Sequence, residues 1–165
     1  MKPIKFTKMA GAGNDFIIIE AQAKPINVKK LGIRVCDRTN GIGADGLIIL
    51  DKSKKCDFKM RIINADGSEA EMCGNGARCA ALWAMKIAKI TPDNSIKFET
   101  IAGTLEAEME GSDTVKIRVP DPFDLKISVA AEVLGRKMHV NYINTGVPHV
   151  VVFVQGIEAI HVNEI

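Results

Sequence analysis

Most of the first 119 residues follow the alternation of apolar and polar positions that is typical of β-strands. In the predicted strand over 58–64, Phe58, Met60 and Ile62 point to one face, while the lysine, arginine and isoleucine that follow them point to the other. Similar alternating or apolar runs of about five or six residues predict further strands, at 4–8, 16–21, 47–51, 96–100, 105–110 and 115–119. The segment E-G-S-D at 110–113 predicts a hairpin turn.

Two segments have the pattern of helices instead. Asn27 is a good N-cap, and the residues after it place an apolar stripe on one face through about residue 37. A second helix is predicted over about 74–90, closed by the T-P pair at 91–92. This second helix is apolar on nearly every side, so it must be surrounded by protein. We therefore expect it to be the central helix of the core.

The prolines of the P-D-P segment at 120–122 interrupt the strand pattern and predict a domain boundary. Residues 1–119 are expected to form one complete domain. Residues 120–165 are interpreted as a linker followed by the incomplete start of a second domain, with strands at 127–133, 138–143 and 149–154. Three strands without a helix make a poor independent core.

The composition is that of an ordinary soluble globular protein, with 47% hydrophobic and 25% charged residues among 165. A net charge of +2, with no block of like charge, argues against a nucleic-acid partner. The apolar runs are far shorter than the roughly 20 residues that span a bilayer, and the N-terminus does not resemble a signal peptide. The four cysteines, Cys36, Cys56, Cys73 and Cys79, are therefore interpreted as reduced thiols of a cytoplasmic protein without a membrane partner.

The segment 64–79 combines the end of a strand, a polar loop, a thiol and the start of the buried helix. Cys73 precedes that helix, where the unpaired N–H groups and the helix dipole favour the thiolate over the thiol. The glycines Gly74 and Gly76 leave these N–H groups open to a carboxylate. Such a site suits attack on, or proton removal from, a small molecule that carries a carboxylate. The alternative is that Cys73 is an inert buried cysteine.

Other candidate sites have weaker support. The segment G-I-G-A-D-G at 41–46 spells a dinucleotide motif, but a helix precedes it and a strand follows it, so a turn with positive φ is the better interpretation. The cysteines form no C-x-x-C pair and His139, His149 and His161 are scattered, so no metal site is expected. His149, after Pro148, is the best candidate for a site histidine, and a structural histidine fits equally well.

Five motifs in this order closely resemble the N-terminal half of the diaminopimelate epimerase family: F-T-K-M at 6–9, G-N-D-F at 13–16, G-I-G-A-D-G at 41–46, N-A-D-G-S at 64–68 and C-G-N-G-A-R-C at 73–79. The resemblance implies an α+β fold in which a strand-rich, barrel-like domain wraps around a central helix, followed by a second similar domain. It also implies an isomerase of lysine and cell-wall biosynthesis that converts LL-diaminopimelate to the meso form. No cofactor, and in particular no pyridoxal phosphate, is expected.

The resemblance assigns roles to individual residues. Cys73 becomes one member of a two-cysteine pair, in which one thiolate takes the Cα proton and the opposing thiol returns a proton on the other face. His149 matches the family histidine thought to tune the ionisation of the thiols. The implied substrate contacts are Asn14, Asn64, Gly74 and Asn75, with the α-carboxylate at the N-terminus of the helix.

Two departures from the family pattern qualify this assignment. Val147 stands where many members have an asparagine. The chain also stops before the half that carries the second catalytic cysteine, so we expect it to be inactive alone and to require a complementary C-terminal half, with a homodimer as a further assembly. The alternatives are a non-catalytic ligand-binding or assembly module, and another isomerase of the same fold, such as a proline racemase.

Overall fold

The computed structural model describes residues 3–23, 25–91, 93–133 and 135–160. It divides into two units, Met1–Arg118 and Val119–Ile165, which are described separately. The strands of the first unit are β1 (Thr7–Gly11), β2 (Asn14–Glu20), β3 (Gly46–Asp51), β4 (Phe58–Asn64), β5 (Glu69–Ala70), β6 (Ser95–Thr100), β7 (Gly103–Glu110) and β8 (Thr114–Arg118). Its helices are α1 (Val28–Cys36) and α2 (Gly74–Lys86).

The eight strands form one sheet that wraps around α2. The order is β1-β2-β3-β4-β6-β7-β8, with β5 paired to β4, and the β2–β3 and β4–β6 pairs are parallel. Helix α2 contacts β1 and β2 at one edge of this order and β7 and β8 at the other. The expected strand-rich, barrel-like fold around a central helix is therefore confirmed.

The central helix is enclosed because its side chains are apolar on nearly every side. Its buried residues are Gly76, Ala77, Cys79, Ala80, Ala81, Trp83, Ala84 and Met85. The helix ends at Lys86, earlier than the predicted residue 90, because the carbonyl of Trp83 accepts the N–H groups of both Ile87 and Ala88. Lys89 then adopts a left-handed conformation with φ of 52°. Of the predicted closing pair at 91–92, Pro92 lies outside the described residues.

Strand β4 has the predicted apolar face, and one apolar residue of its other face is also buried. Phe58, Met60 and Ile62 join the core around α2, whereas Ile63 joins a second core beneath α1. Helix α1 begins after the predicted N-cap, where the side chain of Asn27 accepts a backbone N–H at 3.0 Å. The sheet is therefore covered by α2 on one face and partly by α1 on the other.

Strand β1 begins three residues later than predicted, because a tight turn sets its register. Gly11 pairs with Asn14 across a two-residue turn formed by Ala12 and Gly13, both with positive φ. The hairpin turn predicted at 110–113 is confirmed, since β7 ends at Glu110 and β8 begins at Thr114. The two-residue strand β5 was not predicted.

The second unit contains β9 (Phe123–Val133), β10 (Arg136–Asn144) and β11 (Pro148–Val151), followed by a 3₁₀ turn at Ile157–Ala159. The strands form an antiparallel sheet in the order β11-β10-β9. Strand β9 starts directly after the P-D-P segment, four residues before the prediction, and β11 stops at Val151 instead of 154 because its pairing with β10 ends there. None of the helices in the described ranges has the length and apolar character of a membrane-spanning segment.

Candidate functional site

The sheet brings the predicted site segments to one end of the first unit. Phe16 on β2 pairs with Gly46 on β3, which pairs with Asn64 on β4. The start of α2 packs against the same end of the sheet. A Cβ added at Gly76 would lie within 3.5 Å of Phe16 and of two other core residues. The starts of β2, β3 and α2 and the end of β4 therefore meet here. We call this the Cys73 end.

Cys73 is the N-cap residue of α2. Its backbone is extended, with φ of −144° and ψ of 117°, and its Sγ accepts the backbone N–H of Gly76 at 3.5 Å. The residue is half-buried, so the sulfur lies at the mouth of the enclosed helix and not in its interior. An anion at this position is favoured by the unpaired N–H groups and by the positive end of the helix dipole.

Two of the predicted substrate contacts bind each other. Asn75 Nδ2 donates to Asn14 Oδ1 at 2.6 Å, and Asn14 Nδ2 donates to Asp45 Oδ2 at 3.0 Å. Arg78 donates to Asn75 Oδ1 from the next turn of α2. The hydrogen bond from Asn14 is the main reason that the pKa of Asp45 lies below its ordinary value. The first turn of α2 is thus fastened to the starts of β2 and β3 by side chains.

Asn64 occupies the end of β4 and is held by the loop that follows it. Its Nδ2 donates to Ser68 Oγ at 3.0 Å, and its backbone accepts the N–H of Gly67 at 2.9 Å. Ser68 in turn donates through its hydroxyl and its N–H to Asp66, which lowers the pKa of that carboxyl. The N-A-D-G-S motif therefore fixes the Asn64 carboxamide.

A charged cluster that the sequence reasoning missed supports Asn14. Arg38 donates to Asp15 at 2.7 and 3.2 Å and to Asp45 at 2.8 Å, and Lys8 lies 3.2 Å from Asp15. The Arg38 guanidinium holds the pKa of Asp15 well below its usual range. Lys8, Asp15 and Asp45 all lie in motifs that carry the family resemblance, so those motifs were the available signal. Arg38 lies outside them.

The other three cysteines lie in different surroundings from Cys73. Cys36 and Cys79 are buried, and burial raises the pKa of both thiols. Cys79 packs in the core around α2. Cys56 is half-buried in the loop before β4, at the opposite end of that strand from Asn64. All four are free thiols.

His149 lies in the second unit, on β11. Its Nδ1 is 2.7 Å from the carbonyl oxygen of Val147 and 3.2 Å from Thr145 Oγ1. Since a carbonyl oxygen can only accept, Nδ1 carries the proton in this contact, and the neutral ring keeps its lone pair on Nε2. His161 lies outside the described residues. Within the ranges that are described, no group of three or more His, Cys, Asp or Glu residues could hold a metal ion.

A cavity of about 680 Å³ opens at the other end of the first unit. It is lined by the ends of β2 and β3, by Phe58 at the start of β4, and by Trp83 and Ile90 from the end of α2 and beyond. The segment 41–46 connects α1 to the start of β3. Its Gly43 has φ of 79° in a turn between α1 and β3, which confirms the expected turn.

The comparisons with known proteins agree with the motifs. A family model for diaminopimelate epimerase matches residues 6–120. The diaminopimelate epimerase of Methanocella arvoryzae is 43% identical over 97% of this chain and 61% of its own length. That of Carboxydothermus hydrogenoformans is 37% identical over 98% of this chain and 64% of its own length. The chain thus spans less than two thirds of the length of these curated relatives.

Solved structures with low sequence identity share the fold. A phenazine biosynthesis protein of the PhzF family from Bacillus anthracis aligns with a TM-score of 0.64 at 18% identity, covering 89% of this chain and 54% of its own. A probable proline racemase from Agrobacterium radiobacter aligns with a TM-score of 0.64 at 14% identity, covering 86% and 49%. These likenesses concern the fold alone. On the family match and the identities above, this chain belongs to the diaminopimelate epimerase family.

Proposed function

We propose that this chain provides one half of the active site of a cofactor-independent epimerase, which converts LL-diaminopimelate to meso-diaminopimelate. Cys73 is one member of its acid/base pair. The observation that carries the proposal is the position of the Cys73 sulfur at the N-cap of an enclosed helix, where Sγ accepts a backbone N–H at 3.5 Å. We take the substrate and the reaction from the diaminopimelate epimerase family, to which the chain belongs.

The first turn of α2 supplies the binding site for the α-carboxylate of the amino acid. The N–H groups of Gly74 and Asn75 have no acceptor within the helix, because the first N–H groups of any helix lack one. They lie beside the sulfur, which is the N-cap side chain. A carboxylate bound to them would place its Cα next to Cys73. Asn14, at the start of β2, and Asn64, at the end of β4, complete the proposed contacts.

The reaction is a proton exchange with inversion at Cα. The Cys73 thiolate takes the Cα proton, and the electron pair of the broken C–H bond stays on carbon. A second thiol on the opposite face then donates its proton to that carbon. Donors fixed around the carboxylate stabilise the developing negative charge, and such preorganised electrostatic stabilisation is commonly the largest catalytic contribution. After inversion, Cys73 is a thiol and its partner is a thiolate.

The second thiol does not come from the same copy of these 165 residues. Cys36 and Cys79 are buried, and Cys56 precedes the start of β4, whereas the Cys73 end contains the end of that strand. We therefore expect a polypeptide of these residues alone to be inactive and to require a complementary part of an epimerase. His149, whose Nε2 keeps a lone pair in the neutral ring, is proposed to tune the ionisation of the thiols.

Isotope exchange tests the proposal. The chain is fused to the part of the Methanocella arvoryzae relative that it does not cover, and incorporation of solvent deuterium at Cα of diaminopimelate is followed by mass spectrometry. We expect exchange in the fusion and none in the unfused chain. Cys73→Ala should reduce exchange by at least about 10²–10⁴-fold, the usual contribution of a general acid or base.

Cys79→Ala is the matched control, because this cysteine lies on the same helix but is buried. It should retain exchange within a few-fold of the unmodified fusion. A folded fusion that incorporates no deuterium, or a Cys73→Ala variant as active as the control, contradicts the proposal. Exchange by the unfused chain contradicts the expected need for a complementary part.

A further inference from the structure

Four side chains form a continuous hydrogen-bonded series across the Cys73 end. It runs from Asp45 to Asn14 over 3.0 Å, from Asn14 to Asn75 over 2.6 Å, and from Asn75 to Arg78. The series joins the residue before β3, the first residue of β2 and two residues in the first turns of α2. Two proposed substrate contacts lie in the middle, and neither terminal residue has a role in the proposed reaction.

The terminal groups of the series have opposite and fixed hydrogen-bonding character. An ionised carboxylate only accepts, and a guanidinium only donates. The Asn14 carboxamide must therefore turn its nitrogen to Asp45, so that its oxygen faces Asn75. The Asn75 carboxamide must turn its nitrogen to Asn14 and its oxygen to Arg78. If either amide were flipped, two donors or two acceptors would face each other.

Both terminal groups are themselves held in place. Asp45 accepts from Arg38 at 2.8 Å and from the backbone N–H of Asp15 at 3.1 Å, and these bonds keep it ionised. The Arg78 guanidinium lies across the start of α2, since Nη1 is 3.7 Å from the position that a Cβ on Gly74 would take. Its positive charge is therefore beside one of the proposed carboxylate-binding N–H groups.

We propose that Asp45 and Arg78 are positioning residues. They fix the carboxamides of Asn14 and Asn75 in the one orientation in which the amide nitrogens can bind a carboxylate ligand. Each amide nitrogen carries two hydrogens and uses one of them within the series. The second N–H of each remains a donor for a ligand, together with the free N–H groups of the helix. A flipped carboxamide would present an oxygen to the carboxylate and repel it.

This proposal rests on the proposed function for its ligand, but the orientation itself is measurable without catalysis. In the full 165-residue chain, the side-chain N–H signals of Asn14 and Asn75 are followed by ¹H–¹⁵N NMR. Arg78→Met removes the donor but retains an unbranched apolar stem. We expect it to change the signals of Asn14, which Arg78 does not contact, and to speed their hydrogen exchange by about tenfold, the equivalent of one lost hydrogen bond.

Asp45→Ala is the reciprocal variant, and it should change the signals of Asn75 in the same way. It also provides the test if Arg78→Met fails to fold. The matched control is Arg61→Met. Arg61, like Arg78, donates to a neighbouring side chain, with hydrogen bonds of 2.6 and 2.9 Å to Glu69, but it lies outside the series. If the distant asparagine is unchanged in the terminal variants, the positioning role is overturned, whatever the fused enzyme does.

The kinetic arm uses the fusion described above. Arg78→Met is expected to raise KM for diaminopimelate by about tenfold with a smaller effect on kcat, because binding of the carboxylate is impaired. Arg78→Lys, which keeps a donor-only cation, should restore most of the loss. Equal effects of Arg78→Met and Arg61→Met on KM, or no recovery by lysine, would overturn the proposal. An unmodified fusion without exchange contradicts the proposed function alone, since the NMR result stands independently.

Discussion

Gly11 is the position where one added methyl group should test the packing of α2 against β1. A Cβ at Gly11 would lie 3.0 Å from Cys79 Sγ and 3.3 Å from the backbone oxygen of Asn75. Non-bonded heavy atoms are at their optimum separation near 3.5–4.0 Å, so Gly11→Ala forces the helix, the strand or the cysteine side chain to move.

The expected cost follows from these two contacts. Overpacking a core by a methyl group typically costs about 1–3 kcal/mol, and replacing glycine by alanine within a strand returns roughly 0.5–1 kcal/mol. Taking the middle of each range, we expect Gly11→Ala to reduce the free energy of unfolding by about 1–2 kcal/mol. For a chain of this size, the melting temperature should fall by about 2–8 °C.

The assay is urea denaturation followed by the fluorescence of Trp83, the one tryptophan of the chain. Trp83 is 7% exposed, and its Nε1 donates to Thr7 at the start of β1, so its emission reports on this contact. Cys79→Ala removes the sulfur that the new methyl group meets. The stability losses of the two single variants should add up to about 1 kcal/mol more than the loss measured for the double variant, as is usual for residues in contact.

Cys36→Ala is the control for this cycle, because Cys36 is buried in the other core and should be additive with Gly11→Ala. A variant as stable as the unmodified chain would refute the assigned closeness of α2 and β1. Additive costs for Gly11→Ala and Cys79→Ala would show instead that the strain falls elsewhere.

Two further predictions concern ionisable groups. The pKa of Asp15 is lowered chiefly by its hydrogen bonds to Arg38. A carboxyl with a lower pKa in the folded state stabilises the fold at pH values above its unfolded pKa of about 3.9. This stabilisation is lost as the pH falls through the folded pKa. Asp15→Asn should therefore be less stable than the unmodified chain at pH 7, and the difference in urea midpoint should shrink below about pH 4; a constant difference would contradict this. Burial raises the pKa of the Cys79 thiol, whereas the Cys73 sulfur is at a helix mouth. Iodoacetamide should thus alkylate Cys73 at least about tenfold faster, as resolved by peptide mass spectrometry, and equal rates would contradict the described burial.

Local signals in the sequence were sufficient where a period or a cap decides the structure. Strand β4 has the bounds predicted from its alternation, and α1 starts at the Asn27 cap. Helix α2 was predicted to be enclosed because it offers no polar face, and the sheet indeed wraps around it. Each of these features is determined by residues within a few positions of one another.

Features that depend on longer-range pairing were placed less well. The register of β1 follows from a turn in which Ala12, a residue that rarely takes positive φ, has φ of 49°. The end of α2 was placed too late, because apolar residues continue past Lys86. The helix ends where the Trp83 carbonyl accepts the N–H groups of both Ile87 and Ala88. Strand β5 has two residues and so no period to detect.

The candidate site shows the same division. Its proposed contacts were named from motifs, but nothing in those motifs pairs Asn14 with Asn75, which are 61 positions apart. The link from Asp45 to Asn14 also spans 31 positions and forms only because β2 and β3 are parallel neighbours. The partners of the asparagines, unlike the asparagines themselves, required the folded sheet.

The packing of α2 and the arrangement of the candidate site depend on the same contacts. Gly11 and Gly76 have no side chains where α2 meets the sheet, and this allows the first turn of the helix to approach β1 and β2. That approach brings Asn75 within 2.6 Å of Asn14. A methyl group at Gly11 presses on the backbone oxygen of Asn75, so Gly11→Ala should also lengthen the bond between the two carboxamides. The stability loss and the NMR change at Asn14 should therefore occur together, and relief by Cys79→Ala should reduce both.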